Sequence, residues 1–140
     1  MAWSFTSRAP VYMQIVSRIR ADILGGVYQP DQQIPAVRQL AQTAGVNPNT
    51  MQRAFAVLEA EQLFITRGTI GRFITTDTEV LARAREVMRQ ETVARLVEEA
   101  AAVGLTPEEL IKSIRAYTES FPPPSEEPSQ SQTHERSDTQ

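Results

Sequence analysis

The sequence predicts a mainly α-helical fold with one small β-hairpin. Apolar residues recur at helical spacing along most of the chain, and Pro and Gly mark the ends of these runs. Near the middle, two β-branched and aromatic runs flank a glycine-containing turn, which is typical of a hairpin. With 140 residues, 41% of them hydrophobic, the chain can form one compact domain and a small appendage.

The first predicted helix begins at Pro10 and ends at the glycine pair 25–26. Pro in the first turn and Gly just after the last turn are typical of helix ends. Its apolar residues follow steps of four: Val11, Ile15, Ile19 and Ile23. Residues 28–33 contain Pro-Asp, so we expect a turn there.

Two shorter helices follow. The second is predicted between Pro35 and Gly45, and its inward residues are Val37, Leu40, Ala41 and Ala44. Asn47 is expected to cap the third helix, in which Pro48 takes the first position. The apolar face of this third helix is formed by Met51, Ala54, Phe55 and Leu58.

The β-hairpin is predicted from residues 63–66 and 72–76, which flank the turn 67–71. A long amphipathic helix then begins at Asp77 or Thr78 and ends at Gly104. Thr106 begins a capping box that starts a last helix.

These elements divide the chain into three predicted parts. Residues 1–76 form a unit of three helices and the hairpin, in the arrangement of a winged helix-turn-helix DNA-binding domain. Residues 77–121 form a helical dimerisation region, since their apolar stripes would be exposed in a monomer. Residues 122–140 are rich in Pro, Ser, Gln and Glu, and this composition favours a disordered tail.

Charge is distributed unevenly between the two halves. Residues 1–76 carry a net charge of +3 and residues 77–140 a net charge of −6, within a total of −3. The positive half indicates a polyanionic partner, although many charged runs are simply solvated surfaces.

Composition excludes several other functions. The chain has no cysteine and a single histidine in the polar tail, His134, so we expect no metal site, no cofactor and no enzymatic activity. No signal peptide or membrane span is predicted, and a cytoplasmic location is expected.

The outer face of the third helix carries side chains that can read bases. Amides of Asn and Gln pair with adenine, Arg pairs with guanine, and the methyl group of Thr contacts thymine. The candidate residues lie near the helix start, where recognition helices contact DNA: Asn47, Asn49, Thr50, Gln52 and Arg53. By itself this pattern is also typical of an ordinary solvated helix.

The residues at the hairpin tip favour DNA binding over an ordinary solvated helix. Arg67 and Arg72 flank the glycines of the turn. Glycine allows the backbone to approach phosphates closely, and arginine favours a narrow minor groove.

The chain resembles the GntR family of bacterial regulators between about residues 10 and 76. The resemblance is carried by 28-YxPxxxIPAVRxLA-41, 45-GVNPNTMxRA-54, Leu58-Glu59 and 68-GxxGxFI-74. The remainder is similar to the YtrA subfamily, through Asn-Pro-Asn-Thr and 99-EAxxxGLTxEELI-111.

This resemblance implies roles for particular residues. It implies a DNA contact by Arg38 in the second helix and wing contacts by Arg67 and Gly68. In the recognition helix it implies contacts by Asn47, Asn49, Thr50 and Gln52. Ala36 stands where the family usually has Ser, so a helix cap is missing, and Pro48 replaces an arginine of some relatives.

The resemblance also implies a homodimeric repressor of its own operon and of a neighbouring transporter operon. A two-fold dimer would bind a palindromic operator in double-stranded DNA. Two alternatives stay open: the C-terminal helices could instead pack onto the first domain, and the winged helix could serve as a protein-interaction scaffold. Any small-molecule effector is unknown from the sequence, and residues 77–121 are too few to bury a drug-sized ligand alone.

Overall fold

The computed structural model describes residues 2–123, so the predicted tail lies, from residue 124 onward, outside the described residues. The predicted order of three helices, a hairpin and two further helices is confirmed. The elements are α1 (Val11–Leu24), α2 (Val37–Ala44), α3 (Pro48–Ala60), β1 (Phe64–Arg67), β2 (Gly71–Ile74), α4 (Thr78–Ala102) and α5 (Pro107–Ser120).

The core lies where α1, α2, α3 and the hairpin meet. As predicted, the apolar face of α3 is fully buried, and three predicted positions of α1, Ile15, Ile19 and Ile23, are buried with it. Val11 is the exception among the predicted α1 positions, because it lies in the first turn and is exposed. The largest fully buried side chains are Phe55, Ile15, Ile19, Met51, Leu58, Leu63 and Ile74.

The hairpin is attached to this core at one end. β1 and β2 pair antiparallel, with Phe64 opposite Ile74 and Arg67 opposite Gly71. Phe64 and Ile74 are buried, so the hairpin's base packs on the core and its tip extends into solvent.

The connection between α1 and α2 is more ordered than the predicted turn. The amide of Ile34 donates to the carbonyl of Arg72 at 3.0 Å, and the amide of Ile74 donates to the carbonyl of Gln32 at 2.9 Å. The connection therefore runs along the free edge of β2, where it makes strand-like hydrogen bonds.

The segment before α1 also contacts the helix-turn-helix. The amide of Trp3 donates to the carbonyl of Ala44 at 3.1 Å, and the guanidinium of Arg18 lies 4.1 Å from the centroid of the Trp3 ring. Burial raises the pKa of the nearby Asp22 above its ordinary value, and the charge of Arg18 offsets part of that rise.

Gly45 ends α2 in the left-handed conformation, with φ +74°. Its amide donates to the carbonyl of Ala41 at 2.9 Å, so the chain turns at once from α2 into α3. A Cβ at this position would lie 3.0 Å from the Cβ of Ala2.

We expect Gly45→Ala to lower the free energy of unfolding by about 1–2 kcal/mol from backbone strain at positive φ, and by a further amount because the new Cβ would crowd Ala2. Gly68→Ala is the matched control, since Gly68 has φ +50° but open space around it. Urea denaturation of both variants separates backbone strain from the contact with Ala2. Equal losses of stability would contradict a steric role for that contact.

The described chain forms two compact units, one up to Ala94 and one from Arg95. In the second unit, the Thr106 hydroxyl accepts a hydrogen bond from the amide of Glu109 at 3.2 Å, which is the threonine half of the predicted capping box. Within residues 2–123, no helix is both long and apolar enough to cross a membrane.

Candidate nucleic-acid interface

The recognition-helix candidates lie on the outer face of α3. Because its inner residues recur at steps of three and four, the intervening side chains point away from the core. Asn49, Gln52 and Arg53 are exposed, and Thr50 is half-buried. The fold therefore places two amides and one guanidinium together on a helix surface.

Asn47 has a structural role as well as a predicted role in binding. It is the N-cap of α3, and its Oδ1 accepts a hydrogen bond from the amide of Asn49 at 2.8 Å. Pro48 follows at the first helical position, where its lack of an N–H costs nothing. The carbonyl of the Asn47 side chain is thus committed to the helix, whereas its NH₂ group keeps its two donors.

Arg53 is held by a residue that the sequence did not single out. Its guanidinium carbon lies 3.9 Å from the centroid of the Tyr12 ring in α1, in a cation–π contact. Tyr12, Asn49, Thr50 and Arg53 line a shallow groove of about 360 Å³ with Val11. This contact orients the arginine beside the polar face of α3.

Arg38 lies in the first turn of α2 and is exposed. The residue that caps this helix is Ala36, which makes no side-chain capping bond, as its methyl group predicts. No capping side chain therefore accepts a hydrogen bond from the first backbone amides of α2, and these amides can donate to other acceptors.

The two wing arginines differ in their surroundings. Arg72 pairs with Glu59 of α3 and lies 5.3 Å from the Phe55 ring centroid, so it joins the hairpin to α3. Arg67 is more exposed. It pairs with Asp31, and its guanidinium lies over the Phe73 ring at 4.3 Å.

The tip of the wing is open. Gly68 has φ +50°, and a Cβ there would meet no atom within 4 Å. At Gly71, in contrast, a Cβ would lie 2.7 Å from Nε2 of Gln33, which donates to the carbonyl of Ile70 at 2.8 Å. Gln33 thus supports the tip from the α1–α2 connection, another role that the sequence did not reveal.

These segments present cationic and amide side chains without an arrangement suited to a metal. In the part of the chain that the structure describes, no group of three or more His, Cys, Asp or Glu residues could hold a metal ion.

Comparison with known proteins places this geometry in a family. Residues 11–74 match the model of the bacterial regulatory proteins of the gntR family. The chain is 31% identical to the HTH-type transcriptional regulator YhcF of Bacillus subtilis over 82% of this chain and 95% of that protein. It is 32% identical to the HTH-type transcriptional repressor YtrA of the same bacterium, over 79% of this chain and 88% of that protein.

A solved structure agrees with this result. A GntR family transcriptional regulator from Listeria monocytogenes superposes with a TM-score of 0.71 at 28% identity, covering 80% of this chain and 98% of that one. The predicted fold and the resemblance to YtrA-type regulators are confirmed, and so is the prediction of a regulator rather than an enzyme. The chain belongs to the GntR family and is a DNA-binding transcription regulator with a winged helix-turn-helix.

Proposed function

We propose that this protein is a homodimeric repressor that binds a palindromic operator in double-stranded DNA. Its targets in this proposal are its own operon and a neighbouring transporter operon, and it acts in the cytoplasm. The similarity to YtrA, a named repressor, supports the sign of regulation. We assign DNA binding to residues 1–76 and dimerisation to residues 77–121.

The outer face of α3 carries this proposal. Asn49, Gln52 and Arg53 are exposed side by side, and each can make two hydrogen bonds to a base edge in the major groove. Thr50 offers a hydroxyl and a methyl group from the same turn, and Asn47 offers its remaining donors at the helix start.

Two further segments extend the interface. Arg38 is exposed in the first turn of α2, from which it can pair with a phosphate. At the wing, Gly68 leaves the backbone open to close approach, and Arg67 can enter a narrow minor groove, whose strong negative potential attracts arginine. In this proposal α3 reads the bases, whereas the contacts of α2 and the wing fix the position of the protein on the DNA.

The proposed dimer uses the apolar face of α5. Ile111, Ile114 and Tyr117 are exposed, and their spacing places them on one side of the helix. Phe121, which follows the last residue of α5, is exposed as well. The rings of Tyr117 and Phe121 contact each other at 5.2 Å between centroids. A second copy of the chain would bury this face, and a two-fold axis would present one recognition helix to each half-site.

The operator can be identified by selection from random DNA. Duplexes that the purified protein retains from a random pool should share a palindromic motif, with half-sites about one helical turn apart. The same motif should occur upstream of the protein's own gene and of adjacent transporter genes. A motif without two-fold symmetry would contradict the proposed dimer.

We expect Arg38→Ala and Arg53→Ala each to weaken binding to the selected operator by about fivefold or more, since a base contact by arginine contributes ~1–3 kcal/mol and loss of a phosphate contact also weakens binding. Both side chains are exposed, so the fold should persist. Gel shifts at fixed salt measure the affinities, and light scattering checks that both variants remain dimers.

Arg85→Ala removes the same charge from an exposed position of α4 and is the matched control. Wild-type affinity in both test variants would rule out the proposed binding face. If the wild type binds no duplex, or binds with an affinity independent of salt, the winged helix serves protein interaction instead, because phosphate contacts make affinity fall steeply with salt.

A further inference from the structure

Asp31 lies at the third position of a turn in the α1–α2 connection. The amide of Gln32 donates to the carbonyl of Gln29 at 3.1 Å, and Pro30 takes the second position of the turn. The φ of Asp31 is +68°, which suits the third position of such a turn and which Asp adopts more readily than most non-glycine residues. The turn accounts for the backbone conformation, so a role of Asp31 beyond the turn lies in the contacts of its side chain.

The carboxylate of Asp31 pairs with the guanidinium of the wing residue Arg67. Both side chains are well exposed, at 57% and 45% respectively, so the pair lies at the protein surface, where the proposed function assigns a DNA contact to Arg67. Exposed ion pairs of this kind contribute little to stability, so stability alone does not account for this pair.

The backbone positions of both Asp31 and Arg67 are fixed by the hairpin. The amide of Asp31 donates to the carbonyl of Ile74 at 2.9 Å, which fixes residue 31 beside β2. Arg67 is the last residue of β1, opposite Gly71, and its guanidinium lies 4.3 Å from the Phe73 ring centroid. The guanidinium is thus held on one face by the ring and at one edge by the carboxylate.

Two effects on DNA binding follow from this arrangement. The negative charge offsets that of Arg67, so the wing gains less from simply lying near phosphates. The carboxylate and the ring also restrict the guanidinium to one orientation, which reduces the entropy lost when its remaining N–H groups bind a partner at a defined position. Both effects favour a correctly placed partner over DNA of arbitrary sequence.

We propose that Asp31 is a specificity-determining residue that positions Arg67 and suppresses its non-specific attraction to phosphates. The proposal rests on the proposed operator-binding function. It assigns no DNA contact to Asp31 itself, which acts through the orientation and the charge of Arg67.

The test is Asp31→Asn, because Asn tolerates positive φ and removes only the charge. We expect affinity for a random-sequence duplex to rise about threefold or more, with a plot of log affinity against log salt steeper by about 0.9, equivalent to one more phosphate contact. Affinity for the selected operator should stay the same or fall. The ratio of specific to non-specific affinity should therefore decrease at least about threefold.

Two comparisons make the result specific. Glu79→Gln removes one negative charge from the first turn of α4, and we expect it to leave the ratio unchanged. In an Arg67→Gln background, Asp31→Asn should no longer alter the ratio, because the residue through which it acts is gone.

Equal gains on both duplexes in Asp31→Asn, or no change on either, would overturn the proposal while leaving the operator-binding function intact. An altered ratio that persists in the Arg67→Gln background would also overturn it. Failure of the wild type to bind any duplex would overturn the binding function and this inference together.

Discussion

Replacing Phe55 by alanine should lower the free energy of unfolding by about 3–5 kcal/mol, the usual cost of removing a large buried ring. Phe55 is fully buried and meets Phe64 of β1 edge to face, with ring centroids 5.0 Å apart. Arg72 lies over the same ring. The substitution therefore removes the side chain around which the recognition helix and the wing pack.

This loss should appear in urea denaturation monitored by circular dichroism at one protein concentration, since the stability of the proposed dimer would depend on concentration. The matched control is Ile70→Ala at the wing tip, where the side chain is 69% exposed. We expect a change within about 0.5 kcal/mol for the control. A comparably small change for Phe55→Ala would contradict its place at the centre of the core.

Ile114→Asp should convert the proposed dimer to a monomer and weaken binding to the proposed palindromic operator by about a hundredfold or more. Ile114 lies on the apolar face of α5 and is 44% exposed, so a carboxylate there is solvated in the monomer but unpaired in an apolar interface. Without the dimer, each half-site is bound separately, and the gain from linked binding is lost.

Light scattering gives the oligomeric state, and gel shifts on the full palindrome and on one half-site give the affinities. Ala116→Asp introduces the same charge on the opposite side of α5 and should leave both quantities unchanged. Ile114→Asp should weaken binding to the palindrome far more than binding to the half-site. If Ile114→Asp stays dimeric, another surface of the chain forms the interface.

The helices could be predicted from sequence because their determinants are local. The spacing of Ile15, Ile19 and Ile23 reflects the helical period, and Gly45 and Pro48 mark the α2–α3 turn through their own backbone preferences. The hairpin was likewise evident from β-branched residues around glycines. These signals depend on residues within a few positions of one another.

The partners of the candidate arginines could not be predicted in this way. Tyr12 and Arg53 lie 41 positions apart, and the hydrogen bond between Asp31 and Arg67 spans 36 positions. These pairs form only when α1 packs on α3 and the α1–α2 connection lies along β2. The sequence therefore predicts which side chains face outward, whereas their orientation depends on packing between distant segments.

The strand-like pairing of the α1–α2 connection with β2 could not be predicted for a related reason. Gln32 and Gln33 lack the alternating apolar pattern of a strand, because one edge of this segment pairs with β2 while its side chains remain exposed. Its strand-like character resides in backbone hydrogen bonds, which side-chain patterns do not report.

That pairing limits how the chain can tolerate changes in length. Surface loops ordinarily accept insertions, but one extra residue between Gln32 and Ile34 would shift their backbone groups out of register with β2. The displaced segment would carry Gln33 away from the Ile70 carbonyl and leave the wing less well supported. Related chains should therefore vary in length at the open hairpin tip around Gly68 and keep a constant length between α1 and α2.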